Sequence, residues 1–357
     1  MNYAVMMAGG AGTRFWPLSR QTLPKQLLPI GDDQTLLARA IGRVAPLAPA
    51  ARVLIVTGEA IAAPIAAAFP EVPAANIIAE PLRRNTAPCA AVAAKILLDR
   101  DPDAVMALLP ADHVIRKEDE LRTLLAAAFA VAARSDELLT LGVKPQYPET
   151  GYGYIETGDP LDEENSRPYF RVAAFHEKPD AATAQHFLDS GRFLWNAGIF
   201  VFRASVFLRA VAAAMPDLAA AVAEIDGCAP PEKIGAALAR LYPALAPTSI
   251  DHGVMEKVRN ILVFPADIGW SDVGSWTALR ELHPADPHGN VGQGDFLALD
   301  GGENTFYAQG GVAVAVGVEG LIIVHTPDAT LVARRDDAQG VKRVFEEFER
   351  RGWKKYL

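Results

Sequence analysis

Four short apolar runs, Tyr3–Ala8, Arg52–Thr57, Ala104–Leu109 and Glu137–Gly142, alternate with Ala-rich stretches of helical spacing such as Pro88–Asp99 and Asp119–Arg134. Each apolar run is short and bounded by turn residues, so it reads as a buried strand. Strand and helix in alternation predict an α/β fold: a Rossmann-like, mostly parallel mixed sheet flanked by helices. Ligands of such sheets bind beyond the carboxyl ends of the strands, so the residues just after each strand are expected to carry the chemistry.

The pattern changes between Thr150 and Gln185, where TGYGYIETG and PYFRVAAFHEKP read as strands that leave the main sheet and return. WNAGIFVF, Trp195 to Phe202, is a further strand. A helical region from Ala204 to Leu245 is broken by the loop at Cys228–Pro231, and Ile261–Trp276 is a strand running into a polar loop. From about Pro284 the pieces DFLALDG, NTFYAQG, VAVAVGVEG, LIIVHTPD and ATLVARR follow one another with turn residues between them, an all-β signal closed by an amphipathic helix at Asp337–Arg351. The expected organisation is a domain over residues 1–283 and a small β-rich appendage over residues 284–357 that ends in a helix.

A chain of 357 residues suits one large domain plus a smaller one. Its formal charge of −9 argues against nucleic acid or an anionic membrane as partner, so an anionic substrate needs a local cluster of cations. Two cysteines, Cys89 and Cys228, exclude a disulfide scaffold and a cysteine metal site, and suit the reducing cytoplasm. The opening apolar run lacks a basic flank and does not read as a signal peptide, and no stretch of about 20 apolar residues predicts a membrane span.

The most informative segment is MAGGAGTRFWPLSR, Met7 to Arg20, followed by PKQLLPI, Pro24 to Ile30. A buried strand ends at Ala8, and Gly9, Gly10 and Gly12 let backbone amides approach phosphate oxygens. No Gly-Lys-Ser/Thr closes the turn, so it is not a Walker loop. Phe15 stands where a dinucleotide fingerprint needs its third glycine, which argues against a nicotinamide-dependent oxidoreductase. Arg14 and Lys25 supply two cations close to the turn, the type of group that offsets repulsion between anionic reactants.

These motifs resemble the sugar nucleotidyltransferases, and within them the mannose-1-phosphate guanylyltransferases. The similarity continues in order through AEPLRRNTAP, LLPADHVI, TGYGYIE, FHEKP, WNAGIFVF, SIDHGVMEK and IGWSDVGSW, and spans roughly residues 3 to 280. The resemblance implies the nucleotide-diphospho-sugar transferase fold and transfer of GMP from GTP to mannose 1-phosphate by one in-line displacement. It implies Arg14 and Lys25 as catalytic cations. Ala8, Gly9, Gly10, Gly12, Thr13, Glu80, Asn85, Thr86, Pro110 and Asp112 would bind the nucleotide, and Asp112 and Asp272 would hold Mg2+. The longer bifunctional relatives carry an added isomerase domain, for which this chain is expected to have no room.

Residue chemistry supports several of these assignments. Asp112 follows a buried strand and Asp272 lies in the loop after Ile261–Phe264; two carboxylates from separate loops suit magnesium, which fills its remaining positions with phosphate and water. Asp267 is the rival for the second place, and His113 reads as a packed or capping histidine. Glu80 can accept from the adjacent N–H and amino groups of guanine, or merely cap a turn before Pro81. Asn85-Thr86 before a helix is also an ordinary cap. On the sugar side, Gly153, Glu177, Lys178, Asn196 and Gly198 are expected to meet hydroxyls and the sugar phosphate. Arg83 and Arg84 stand where the family often has a glutamate; contact with phosphate and plain exposure are both open. A sister specificity (another base, a heptose or a glucose phosphate), a non-catalytic sugar-nucleotide-binding regulator and a homodimer built on the β tail are the remaining alternatives.

Overall fold

The structure, a computed structural model, describes residues 1–10, 12–164 and 167–357; Ala11, inside the glycine turn, lies outside the described residues. The chain divides into two compact units that interleave along the sequence. The first comprises Met1–Gly9, Ala40–Ala111 and Ile115–Trp270, and the second Gly10–Arg39, Asp112–Val114 and Ser271–Leu357.

The first unit is built on a nine-stranded sheet. Its strands are β1 (Asn2–Ala8), β2 (Val53–Gly58), β3 (Ile77–Glu80), β4 (Val105–Pro110), β5 (Leu138–Val143), β6 (Gly153–Glu164), β7 (Arg167–Glu177), β8 (Phe193–Arg203) and β9 (Ile261–Ala266). They lie in the order β3-β2-β1-β4-β8-β5-β9-β7-β6. β3, β2, β1 and β4 pair in parallel, as do β5 and β9, whereas β8 is antiparallel to β4, β5 and β6, and β7 is antiparallel to β9 and β6. Strands β7 and β8 thus run against the direction of the others. The expected α/β sheet is present, and the inserted antiparallel β8 is the WNAGIFVF run.

Burial explains why these residues form strands. β1, β2, β4 and β5 are buried almost throughout, as unbroken apolar runs require. β3 escaped the sequence reading because it is four residues long and alternates half-buried and buried positions. The helix Thr86–Arg100 is buried from Ala87 to Ala94, and an alanine-rich helix that is apolar all round suits that setting. Asn85 caps it by accepting from the Thr86 N–H at 2.8 Å. The helical region after Ala204 divides into Ala204–Ala214, Pro216–Ala223 and Pro231–Leu241, with a proline opening each of the last two.

In the second unit, the C-terminal strands are β10 (Val291–Gln293), β11 (Phe296–Leu299), β12 (Thr305–Ala308), β13 (Ala313–Val316), β14 (Leu321–Thr326) and β15 (Ala329–Arg334). The expected β pieces are strands, and most of them stack in parallel: Val291 pairs with Thr305 and Thr305 with Ile322, while Phe296 pairs with Ala313. The chain therefore winds as a coil, and only β14 and β15 close antiparallel among the described residues. Buried asparagines stitch successive turns. Asn304 Nδ2 donates to Asn290 Oδ1 at 3.1 Å and to the Val318 carbonyl at 3.0 Å, and Asn304 Oδ1 accepts from the Leu321 N–H at 3.0 Å. The final helix begins later than the periodicity suggests. Residues Arg335–Lys342 form tighter turns around Asp337 and Gly340, and the α-helix runs from Arg343 to Arg351.

The amino-terminal segment of this unit packs into the same core. Phe15, Trp16, Leu18, Leu28 and Ile30 are buried with Trp276, Tyr307, Ile322 and Phe345. The Trp16 indole N–H donates to the Tyr356 carbonyl and that of Trp276 to the Trp16 carbonyl, both at 3.0 Å.

Candidate active site

Several charged residues of the second unit meet around Lys25. This residue is 7 % exposed, and an ammonium buried that far needs partners. Lys25 Nζ donates to Asp112 Oδ2 at 2.9 Å and to the Asp272 carbonyl at 2.6 Å. Arg14, exposed on the glycine turn, donates to the Gly274 carbonyl at 3.1 Å. Arg14, Lys25, Asp112 and Asp272 are therefore brought together.

Backbone geometry holds this arrangement. Gly12 sits at φ +62°, and a Cβ there would stand 2.4 Å from Lys25 Cβ, so only glycine lets the turn lie against the Lys25 segment. Thr13 follows within the same single turn, Thr13–Phe15. Val273 adopts φ +47°, an uncommon state for a β-branched residue, between Asp272 and Gly274. A Cβ at Gly274 would come within 3.0 Å of Asp272 Oδ2, so the missing side chain makes room for that carboxylate.

Burial pushes the Asp112 carboxyl up, but the Lys25 ammonium, with His113, outweighs it and leaves Asp112 below its ordinary value. His113 Nε2 lies 3.9 Å from Asp112 Oδ1. Asp112, bonded to the ammonium through its carboxylate, and Asp272, bonded through its main-chain carbonyl, are both half-buried, and their carboxylates are the type of oxygen donor that a magnesium-type ion takes from protein. Among the described residues no group of three or more His, Cys, Asp or Glu side chains could hold a metal. Asp267, in the first unit, is 87 % exposed and pairs with Lys117 at 2.6 Å.

In the first unit, Ala8 ends β1 with Gly9 directly after it, and Pro110 ends β4, with Met7 and Pro110 in register. The Thr57 hydroxyl donates to the Ala8 carbonyl at 2.9 Å. Glu80 ends β3, is 8 % exposed, and lies so that a Cβ at Gly9 would be 3.7 Å from Glu80 Oε2. The Tyr242 hydroxyl donates to Glu80 Oε1 at 2.7 Å. Burial raises the Glu80 carboxyl to about 7, against the opposing effect of the Tyr242 bond.

Arg84 reaches protein carbonyls: its guanidinium donates to Tyr242 O at 2.9 Å and Pro243 O at 3.0 Å, whereas Arg83 is exposed. The Thr86 hydroxyl accepts from the Ile250 N–H at 2.8 Å. Asn85 holds φ +67°, a strained state at a loop expected to contact a ligand.

The residues expected on the sugar side also gather. A Cβ at Gly153 would fall 2.7 Å from Glu177 Oε2 and 3.5 Å from Asn196 Cβ. Glu177 pairs with Lys178, which sits at φ +47° with its N–H donating to Tyr152 O at 3.2 Å. Asn196 Oδ1 accepts from the Gly198 N–H at 3.1 Å, and its Nδ2 donates to Asp251 Oδ1 at 2.7 Å. Burial first, then Glu177, raises the Asp251 carboxyl to about 6. Tyr152 stands 5.3 Å from Trp195 and 5.1 Å from Trp270, adding an aromatic wall.

Tyr242 and Asp251 escaped the sequence reading. Asp251 lies in SIDHGVMEK, a segment matched to the family without a role being given to the residue. Tyr242 has no local signal at all.

The comparisons with known proteins agree with one another. Residues 3–288 match a family model described as Nucleotidyl transferase, and residues 294–348 match a mannoseP isomerase/GMP-like beta-helix domain. A mannose-1-phosphate guanylyltransferase 2 from Escherichia coli O157:H7 is 38% identical over 96% of this chain and 72% of its own. The xanthan biosynthesis protein XanB of Xanthomonas campestris is 40% identical over 98% of this chain and 73% of its own. Among solved structures, a mannose-1-phosphate geranyltransferase from Thermus thermophilus superposes with a TM-score of 0.86 at 33% identity, covering 98% of this chain and 99% of that one.

Proposed function

The chain belongs to the nucleotidyl transferase family, and on that footing we propose that it transfers GMP from GTP to α-D-mannose 1-phosphate, giving GDP-mannose and pyrophosphate. The observation that carries this reading is the grouping of Arg14, Lys25, Asp112 and Asp272 beside a glycine turn. An oxygen of the sugar phosphate forms the new bond to the α-phosphorus, and the bond to the β-phosphate oxygen breaks, so pyrophosphate leaves with the electron pair. The sugar phosphate is already an anionic nucleophile, so the protein's task is positioning and charge stabilisation. Arg14 and Lys25 are assigned to the attacked and leaving phosphates.

The family generally uses a divalent metal, and magnesium is the ion proposed here, with Asp112 and Asp272 as its ligands. Such an ion supplies charge neutralisation and a template for the phosphates. The exposed ion pair of Asp267 with Lys117 supports Asp272 over its rival. Ala8, Gly9, Gly10, Gly12, Thr13, Glu80, Asn85, Thr86 and Pro110 are assigned to the nucleotide. Gly153, Glu177, Lys178, Asn196 and Gly198 are assigned to the sugar phosphate, the first four supported by their grouping around Gly153.

Residues 1–283 are proposed as the catalytic domain and 284–357 as the β-rich appendage. A homodimer through that appendage is supported by the exposed apolar side chains Leu297, Leu299, Val314 and Val316 on β11 and β13; an unchanged mass in sedimentation of a V314K/V316K double variant would remove the idea. No helix among the described residues is long and apolar enough to cross a membrane, and both cysteines are free, which supports a cytoplasmic location.

The deciding assay is pyrophosphate release. It is expected with GTP and mannose 1-phosphate in the presence of magnesium and lost without the metal. Equal release with UTP, dTTP or glucose 1-phosphate overturns the assigned specificity.

A further inference from the structure

Glu80 and Tyr242 lie 162 residues apart in sequence and are both buried, yet their side chains are bonded at 2.7 Å. The two segments that carry them are joined at several further points. The Arg84 guanidinium donates to the carbonyls of Tyr242 and Pro243, and the Arg84 carbonyl accepts from the Thr248 N–H at 3.1 Å. The Ala87 N–H donates to the Thr248 carbonyl at 3.0 Å, and the Ile250 N–H to the Thr86 hydroxyl. Residues 242–250 thus brace the segment 80–87 at Glu80, Arg84, Thr86 and Ala87, and among these bonds the Tyr242 one ends on a carboxylate.

We propose that Tyr242 is a positioning residue for base selection, its hydroxyl holding Glu80 as an ionised double acceptor for the adjacent N–H and amino group of guanine, with Arg84 locking Tyr242 in place. The inference rests on the reading of Glu80 as the residue that meets the base. An ionised carboxylate has about four lone-pair sites, enough for Tyr242 and two donors of the base. A protonated one presents an O–H where the base also presents a donor, so selection must fail on the acid side.

The groups facing Glu80 agree with this role. Burial raises Glu80 to about 7, and the Tyr242 bond is the influence that pulls it back. Burial, followed by Glu80 itself, drives the Tyr242 phenol upward, so it stays a donor. The buried Cys89 thiol is pushed up for the same two reasons and stays neutral. Loss of the Tyr242 hydroxyl therefore leaves burial unopposed and moves the carboxyl higher.

The test uses the full chain with Tyr242→Phe, Arg84→Gln and Glu80→Gln, scored with GTP and with ITP, whose base lacks the 2-amino group. kcat/KM is followed from pH ~6 to ~9, because it reports groups of the free enzyme. Titration of the phosphates is common to all variants, so differences between variants belong to the protein. The preference for GTP over ITP is expected to rise through about pH 7 in the parent. In Y242F that rise shifts upward by about one pH unit, and kcat/KM for GTP falls roughly tenfold at pH 7 while kcat at saturation and KM for the sugar phosphate change less than about twofold. R84Q shifts the rise the same way by less.

If E80Q keeps the parent preference, the reading of Glu80 itself is wrong. If E80Q loses the preference but folded Y242F keeps both the preference and its pH dependence, the role of Tyr242 is overturned. Should Y242F fail to fold, an unmoved pH dependence in R84Q overturns it instead.

Discussion

The carboxylates assigned to binding sit in opposite settings in the two units. In the second, Asp112 lies against the Lys25 ammonium and is held below its ordinary value despite burial. In the first, Glu80 and Asp251 are buried, and their nearest bonds come from neutral donors, a phenol and an amide; they rise to about 7 and about 6. A paired cation and carboxylate suit the role proposed there, holding phosphates and metal. Carboxylates that ionise near neutral pH suit the role proposed for Glu80 and Asp251, accepting from uncharged N–H and O–H groups once ionised, with burial and, among the described residues, the absence of a bonded cation raising the pH at which that happens. Perturbed carboxylates of both kinds occur at residues assigned to binding, as functional sites tend to show.

The contrast can be broken most severely at Lys25. If Lys25 has the role proposed for it, K25A is expected to lower kcat by about a thousandfold or more, because it removes a cation assigned to the reacting phosphates, with a much smaller rise in KM for GTP. Single-turnover and steady-state assays separate the two; equal losses make Lys25 a binding residue only. At Asp251, D251N removes a charge beside Glu177 and weakens the orientation of Asn196. A rise of about tenfold in KM for mannose 1-phosphate with KM for GTP unchanged is the expected split. Unchanged values for both would detach this cluster from the sugar.

The least disruptive test concerns stability. The Glu80 carboxyl is raised from 4.5 to about 7 in the folded chain, so the folded state holds the proton more tightly than the unfolded state. Its contribution is therefore favourable below about pH 4.5 and is lost as pH rises toward 7, by a few kcal/mol in total. E80Q should flatten that fall in urea midpoints measured between pH ~5 and ~8. A slope identical to the parent's would mean that Glu80 titrates normally and the contrast between the units is not real.

Much of this was legible in the sequence because local patterns carry it. Unbroken apolar runs read as buried strands, and Asp112 could be placed because it follows the apolar run Ala104–Leu109. Gly12 was expected on conformational grounds, and its contact with Lys25 gives the stricter reason. Turn residues between short strands marked the C-terminal pieces, but the same spacing serves hairpins and parallel coils, so the winding through Val291, Thr305 and Ile322 was not readable. For Arg84 the sequence left phosphate contact and plain exposure both open, and in the structure its guanidinium serves the carbonyls of Tyr242 and Pro243.

The sequence alone determined which residue types are available: the strands, the glycine turn, two cations near it, acids after strands, and hence the family. Tertiary structure alone decided what each charge faces. Whether a carboxylate is ionised depends on burial and on partners such as Tyr242, Asn196 and Lys25, and their distances depend on pairings between segments far apart in the chain. Periodicity along a chain records which side chains turn inward; it does not record which of them meet.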